Sequence, residues 1–345
     1  MTPLPALQAF AQRLLQAAGM EADKAEAMAR LLVLTDAMGR RTHGLAQLPA
    51  YLAELDKGSM AKTGGPEVLS DNGTVAVWDG RYLPGMWLVE QAIELCLPRA
   101  AQFGLAAVSI KRNHHIGSLA TLGKLAADKG CLALIANSDP AGARVAPYGG
   151  TEALMTPNPI ALAYPGAPNP VLIDISASIT TTSMTRTKLA RGEQFEHAWL
   201  LDAQGQPTRD PAVLEQTEPR GSLQPLGGPD YGHKGFGLGL MVEALSQGLS
   251  GEGRRNGPKR WGGNTYVQVI DPRQFAGLDA FTGQMDYLSE RCRANRPVRA
   301  DTPVRVPGDA AARSLAAASE QGLHIDDATW GSLTQWAGKL GVALP

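Results

Sequence analysis

Cysteine is scarce in this chain of 345 residues, and Cys96, Cys131 and Cys292 stand far apart. They form neither a disulfide framework nor a metal-ligand spacing. A charge excess is missing as well. Lys and Arg number 32 against 33 Asp and Glu, which argues against a nucleic-acid binder or a polybasic membrane protein. No apolar run is long enough to span a bilayer. The opening M-T-P-L-P-A-L-Q-A-F lacks the basic-then-apolar order of a signal peptide. These absences lead us to expect a cytoplasmic globular protein with no nucleic-acid or membrane partner. Several catalytic signatures are absent too. There is no Walker loop, no H-E-x-x-H, no G-x-S-x-G and no paired-cysteine zinc site, and no bound metal is expected. The nearest run to a dinucleotide fingerprint, Gly235-Phe236-Gly237-Leu238-Gly239, lacks the third glycine at the required spacing and follows a loop. Small residues on a closely packed helix face explain Gly237 and Gly239 at least as well.

What is present suits a large buried core, with 44% hydrophobic residues arranged as two lobes. Leu4, Leu7, Phe10, Leu14 and Leu15 recur at helical spacing, as do Ala25, Met28, Leu31, Leu32 and Thr35. Leu48, Tyr51 and Leu52 begin a third helix, and 59–66 is a turn-rich linker. Residues 74–78 read as a strand and 87–97 as a helix. Short apolar strands then alternate with helices: strands at 105–110, 131–136, 160–164, 171–175 and 266–270, and a helix at 119–129. Leu238, Met241, Val242, Leu245 and Leu249 mark another helix, closed by Gly251, and 279–295 and the tail from Ala310 look helical. The alternation predicts an α/β lobe, and the Pro-Asn-Pro and Pro-Gly turns point to a mixed sheet.

The chain is organised around Asp36–Tyr51, D-A-M-G-R-R-T-H-G-L-A-Q-L-P-A-Y. Gly39 ends a helix, and a short bend then presents Thr42 beside His43, ahead of Gly44. Imidazole is the side chain best suited to carry a proton near neutral pH. A second polar segment, Asn113-His114-His115-Ile116-Gly117-Ser118, lies between a strand and a helix, where backbone N–H groups can hold phosphate. Adjacent histidines in an extended segment point to opposite faces, so one metal is not expected to bind both. Asp174-Ile175-Ser176-Ala177-Ser178, followed by threonines 180–182, suits ribose recognition or ordinary capping. Gly227–Gly235 is a glycine-rich bend carrying His233 and Lys234. Each segment alone has an ordinary structural explanation.

Together they resemble the type 2 malate/L-lactate dehydrogenase family, with its ureidoglycolate, sulfolactate, diketogulonate and cyclic-imine (piperideine-2-carboxylate) members. Thr42-His43-Gly44 with Leu48, Pro49 and Tyr51 matches its Ser/Thr-His-Gly…Leu-Pro-x-Tyr segment, and His115-Ile116-Gly117 its Asn-His-Phe-Gly loop. Asn158-Pro159-Ile160, Asp174…Ser178, Trp199–Pro207, Leu226…His233-Lys234-Gly235 and Val306-Pro307-Gly308 follow in the family's order. The resemblance implies a non-Rossmann α/β mixed-sheet fold with a helical lobe made from both termini, divided as 1–73, 74–305 and 306–345. It implies a homodimer that binds NAD or NADP and moves a hydride to or from a small 2-hydroxy or 2-oxo acid. By the same likeness His115, Ile116, Gly117, Ser118, Leu119, Ile175, Ser176, Ala177, His233, Lys234, Pro307, Gly308 and Asp309 line the cofactor site. His43 is the expected proton donor, assisted by Thr42; some members assign that role to the equivalent of His115. Gln47, Tyr51, Thr156 and Asn158 are the expected substrate contacts.

Three departures bear on the substrate. Gln47 stands where many members have a carboxylate-gripping arginine, Pro157 replaces the threonine of Thr-Asn-Pro-Ile, and Ser183-Met184 replaces a glycine followed by Lys or Asp. Arg40, Arg41, Arg144 or Arg186 then serves the carboxylate, or the substrate is not a simple 2-oxo acid. A cyclic-imine reductase and a non-catalytic dimeric scaffold are the alternative readings.

Overall fold

The apolar stripe of the first helix, α1 (Leu4–Ala17), closes on α2 (Ala22–Ala37) in the computed structural model, which describes residues 1–216 and 219–345. Leu7, Phe10, Leu14 and Leu15 are buried there with Met28, Leu31 and Leu32. The alanines of α2 let neighbours approach it on several sides, so Ala25, Ala27 and Ala29 are buried as well. Two short 3₁₀ turns, Arg41–His43 and Leu45–Gln47, connect it to α3 (Leu48–Asp56), which carries Pro49 in its first turn.

The sheet follows: β1 (Glu67–Asp71), β2 (Val75–Asp79), then α4 (Gly85–Phe103), β3 (Leu105–Asn113), α5 (Leu119–Ala127), β4 (Leu132–Ser138), β5 (Pro159–Tyr164) and β6 (Val171–Ser176). After α6 (Thr182–Ala190) come three two-residue strands, β7 (Leu200–Leu201), β8 (Pro207–Thr208) and β9 (Ser222–Leu223). Then follow α7 (Gly228–Glu243), β10 (Gly263–Ile270), α8 (Leu278–Arg293), α9 (Asp309–Gln321) and α10 (Asp327–Leu340). Among the described residues the main sheet has seven strands in the order β1-β2-β3-β10-β4-β5-β6. Only β2 and β3 are parallel; the other pairs are antiparallel, so the sheet is mixed. α4 packs over β3 and β10, and α5 over β4 and β5. The C-terminal helices return to the start of the chain, α10 against α1 and α3, and α9 against α2.

Four local expectations need correction. The helix expected at 87–97 runs through Pro98 to Phe103, where Gly104 closes it. The helix expected to begin near Leu238 begins at Gly228, and continues as a π-helical turn at Ala244–Gly248. Of its glycines, Gly235 and Gly239 pack closely, against Leu226 and Met155, whereas Gly237 faces open space. Residues 67–71, 182–190 and the small three-stranded sheet were not expected as regular elements. Among the described residues no helix is long and apolar enough to cross a membrane.

Candidate active site

The His43 turn is held from below by the end of α2. Asp36 is buried, and its carboxylate accepts the backbone N–H of Leu45 at 2.8 Å. That carboxylate fills the space a side chain on residue 44 would need, so only glycine fits at Gly44. Burial pushes the Asp36 carboxyl up to about 7, against the Leu45 hydrogen bond and the positive charge of Arg41. On the open side, Thr42 Oγ1 lies 2.9 Å from His43 Nδ1, and Gln47 Nε2 donates to the Thr42 carbonyl at 2.7 Å. Arg40 turns away to pair with Asp174 at 3.1 Å.

His115 meets this turn from the loop after β3. Its ring lies 6.1 Å from that of His43, nearly parallel at 21°. Tyr51, wholly buried on α3, places its hydroxyl 2.6 Å from His115 Nδ1. Burial raises the Tyr51 phenol, so it stays protonated and donates. The Gly117 N–H, which can only donate, points at the same nitrogen at 3.3 Å. Nδ1 of His115 is therefore an acceptor, and the neutral ring carries its proton on Nε2. Burial, with smaller contributions from His43 and His114, holds His115 down at about 3. His43 is lowered too, by burial first, but Asp174 opposes the shift.

His114 turns inward and is wholly buried without a hydrogen-bond partner, its Nε2 3.8 Å from Glu54. Burial holds it at about 4. Both histidines nonetheless pack on the same aromatic, Trp261, with centroid distances of 4.7 Å for His114 and 5.6 Å for His115. Among the described residues no group of three or more His, Cys, Asp or Glu is placed to hold a metal.

The segments expected at the cofactor are strung along the edge strand β6. Near its start, Leu172 N–H donates to the Pro307 carbonyl at 3.1 Å, and a side chain on Gly308 would strike the Pro170 carbonyl. A largely apolar cavity of about 270 Å³ opens there between Met38, Leu172, Gly308, Ala312 and Leu315. Asp309 is committed to Arg293 at 2.9 Å. In the middle of β6, Asp174 accepts the Ala120 N–H at the head of α5 at 2.9 Å, the capping role, while also holding Arg40. Beside it Ser118 Oγ is buried and unpartnered. Past the end, the Ala177 carbonyl accepts Leu226 N–H at 2.7 Å and so ties down the start of α7. His233 and Lys234 are exposed on its first turns, Lys234 5.0 Å over the Tyr231 ring and His233 edge-on to Tyr148.

Asn158 sits elsewhere. It is wholly buried; its Oδ1 accepts from Thr156 at 2.8 Å and Ser138 at 3.0 Å, and its Nδ2 donates to Glu243 at 2.8 Å and the Gly239 carbonyl at 3.2 Å. With its amide fully used, Asn158 knots β4, β5 and α7 together rather than offering an atom to a ligand. Sequence reasoning overlooks Asp36 and Trp261. Asp36 carries a faint signal, as an acid in the last turn of a helix just before a loop. Trp261 has only the Gly262-Gly263 pair behind it.

The chain resembles known proteins over its whole length. The family model described as malate/L-lactate dehydrogenase matches residues 3–334. An L-lactate dehydrogenase of Cupriavidus necator is 31% identical, covering 99% of this chain and 98% of that protein. A (2R)-3-sulfolactate dehydrogenase (NADP(+)) of Chromohalobacter salexigens is 32% identical over 73% of this chain and 72% of its own. The crystal structure of malate dehydrogenase from Entamoeba histolytica superposes with a TM-score of 0.93 at 22% identity, over 100% of this chain and 99% of that one, and so shares the fold.

Proposed function

Because this chain belongs to the malate/L-lactate dehydrogenase family, oxidoreductases acting on the CH–OH group of hydroxy acids, we propose that it moves a hydride between NAD or NADP and C2 of a small 2-hydroxy or 2-oxo carboxylic acid. One observation carries the reading: two imidazoles distant in sequence stack 6.1 Å apart beside a strand along which the expected cofactor segments are strung.

The residues present fit a dinucleotide. Ser118 is a buried hydroxyl without a partner at the head of α5, able to donate to a ribose or phosphate oxygen beside the Asp174 carboxylate that caps the Ala120 N–H. The apolar cavity beside Gly308 suits the flat base at the far end. Bound there, the nicotinamide supplies or accepts the hydride.

The remaining work falls to side chains. In reduction, as C2 gains the hydride, the C=O pair withdraws onto oxygen, and protonated His43 delivers its Nε2 proton to that oxygen. Nδ1–H of His43 rests on Thr42 Oγ1, which fixes the ring. His115 presents Nε2–H, locked by Tyr51 and Gly117, and steadies the developing negative charge without giving up its proton. Of the two imidazoles His43 is the better proton carrier, because Asp174 offsets part of its depression while His115 stays at about 3. In oxidation the same groups run backwards, with neutral His43 as base.

The exposed Tyr231, Leu240 and Met241 of α7 support a homodimer, which light scattering tests. The functional reading is tested by titrating the protein with NADH and NADPH by fluorescence, then following nicotinamide absorbance with a panel of 2-oxo acids and cyclic imine acids. Binding of one cofactor and its oxidation by a 2-oxo acid is the expected result. Failure to bind either cofactor overturns it.

A further inference from the structure

Trp261 is set into the site from both sides. Before it, Arg260 donates through Nε to the Ser59 carbonyl at 2.7 Å and lies 3.9 Å over the Tyr82 ring. After it, a side chain on Gly262 would come within 2.8 Å of the Asn113 carbonyl, and one on Gly263 within 2.7 Å of Asn137 Oδ1. The pair of glycines lets the chain press against β3 and β4, which fixes where the indole begins. Its ring then lies 5.6 Å from His115 at 37° and 6.4 Å from Tyr51 at 29°. Tyr51 and His114 are wholly buried, but Trp261 and His115, whose rings lie 5.6 Å apart, are only partly so.

Two cations of this neighbourhood are engaged: Arg40 is held by Asp174, and Arg260 is taken up by Ser59 and Tyr82. Arg41, whose charge acts on Asp36, is the cation left for the carboxylate next to the reacting carbon. Gln47 is neutral and donates to the Thr42 carbonyl. A second carboxylate or a sulfonate at the far end of a substrate would meet an indole face and lose hydration without an ion pair in return. An apolar or planar group there would gain contact with that face.

We propose that Trp261 is the specificity-determining residue of this site, so that it takes 2-oxo and 2-hydroxy acids with an apolar or planar far end in preference to dianionic ones. The proposal rests on the dehydrogenase reading for the identity of the reacting carbon, but a binding measurement tests it separately.

The experiment is a calorimetric titration of the protein loaded with whichever of NADH and NADPH it binds, using 3-phenyllactate and malate, neither of which turns over with the reduced cofactor. It is repeated on Trp261→Ala and on the conservative Trp261→Phe. Wild type should bind 3-phenyllactate about tenfold more tightly than malate, the scale of an apolar pocket contact. Trp261→Ala should reduce the preference to about threefold or less, and Trp261→Phe should restore most of it. Equal or tighter binding of malate by wild type, or an undiminished preference in Trp261→Ala, overturns the proposal. Steady-state reduction of phenylpyruvate and oxaloacetate gives the second arm. There Trp261→Ala should raise KM for phenylpyruvate far more than it lowers kcat; a loss confined to kcat would make Trp261 a support for His115 and overturn the specificity role. A binding preference without turnover of any 2-oxo acid would leave the wall standing and remove the dehydrogenase reading.

Discussion

The hydroxyl of Tyr51 lies 2.6 Å from Nδ1 of His115, and that contact decides which of two neighbouring histidines carries the proton. It fixes His115 as a neutral ring protonated on Nε2, which is why the proposed mechanism gives the acid–base role to His43. In ¹⁵N-histidine NMR, His115 should show an unprotonated Nδ1 at neutral pH and should not titrate until well below pH 6.5, toward about 3. Tyr51→Phe leaves Nδ1 with the longer Gly117 contact alone and an acceptor partly unsatisfied, at a cost of about 1–3 kcal/mol in stability. A Tyr51→Phe variant whose His115 resonances and stability match wild type would remove the tyrosine from the account.

The pH profile follows from His43. Its pKa is held below 6.5 by burial, so in the reductive direction kcat/KM should fall as pH rises through that lowered value. In the oxidative direction, where neutral His43 is the base, it should rise through the same value. His115→Ala should weaken turnover but keep this limb, and His43→Ala should abolish it. Persistence of the limb in His43→Ala would move the proton to another group.

Asp36 carries a signed stability prediction. Its folded pKa of about 7 stands above the ordinary 3.8, so its contribution is fully present below about pH 4 and is lost as pH rises through about 7. His115, held at about 3, acts in the opposite sense and favours the folded state above pH 6.5. Asp36→Asn keeps an acceptor for Leu45 N–H without the charge, so its melting temperature relative to wild type should climb between pH 4 and pH 8. A difference independent of pH would show that Asp36 does not titrate in this window. Gly44→Ala drives a methyl into the same carboxylate and should destabilise the turn by about 1–3 kcal/mol, read by denaturant unfolding.

Gln47→Arg adds the bidentate cation that many family members are expected to carry. It should raise kcat/KM for simple 2-oxo acids by about tenfold or more. No gain with any 2-oxo acid would mean that another residue reads the carboxylate.

The His43 turn is legible in the sequence because its determinants are local: Gly39 and Gly44 bracket it, and Pro49 starts the next helix. The core strands are legible for the same reason, being short apolar runs between turn residues. The start of α7 is not, since Gly228, Gly232 and Gly235 are poor helix formers, and that turn depends on Gly235 packing against the backbone of Leu226. β1 is hidden because its residues are exposed on an edge strand and show no buried alternation. Asn158 follows a family motif in sequence, but only the fold reveals that Ser138, Thr156, Gly239 and Glu243 consume its amide. Trp261 meets His115 and Tyr51 across long sequence separations, which no local pattern encodes.

Proton transfer by His43 is tested by measuring nicotinamide binding and 2-oxo acid reduction side by side in wild type and His43→Ala. Cofactor affinity should agree within about twofold between the two, and kcat should fall by about 10²–10⁴ in the variant. Loss of cofactor binding in His43→Ala, or turnover close to wild type, would contradict that role.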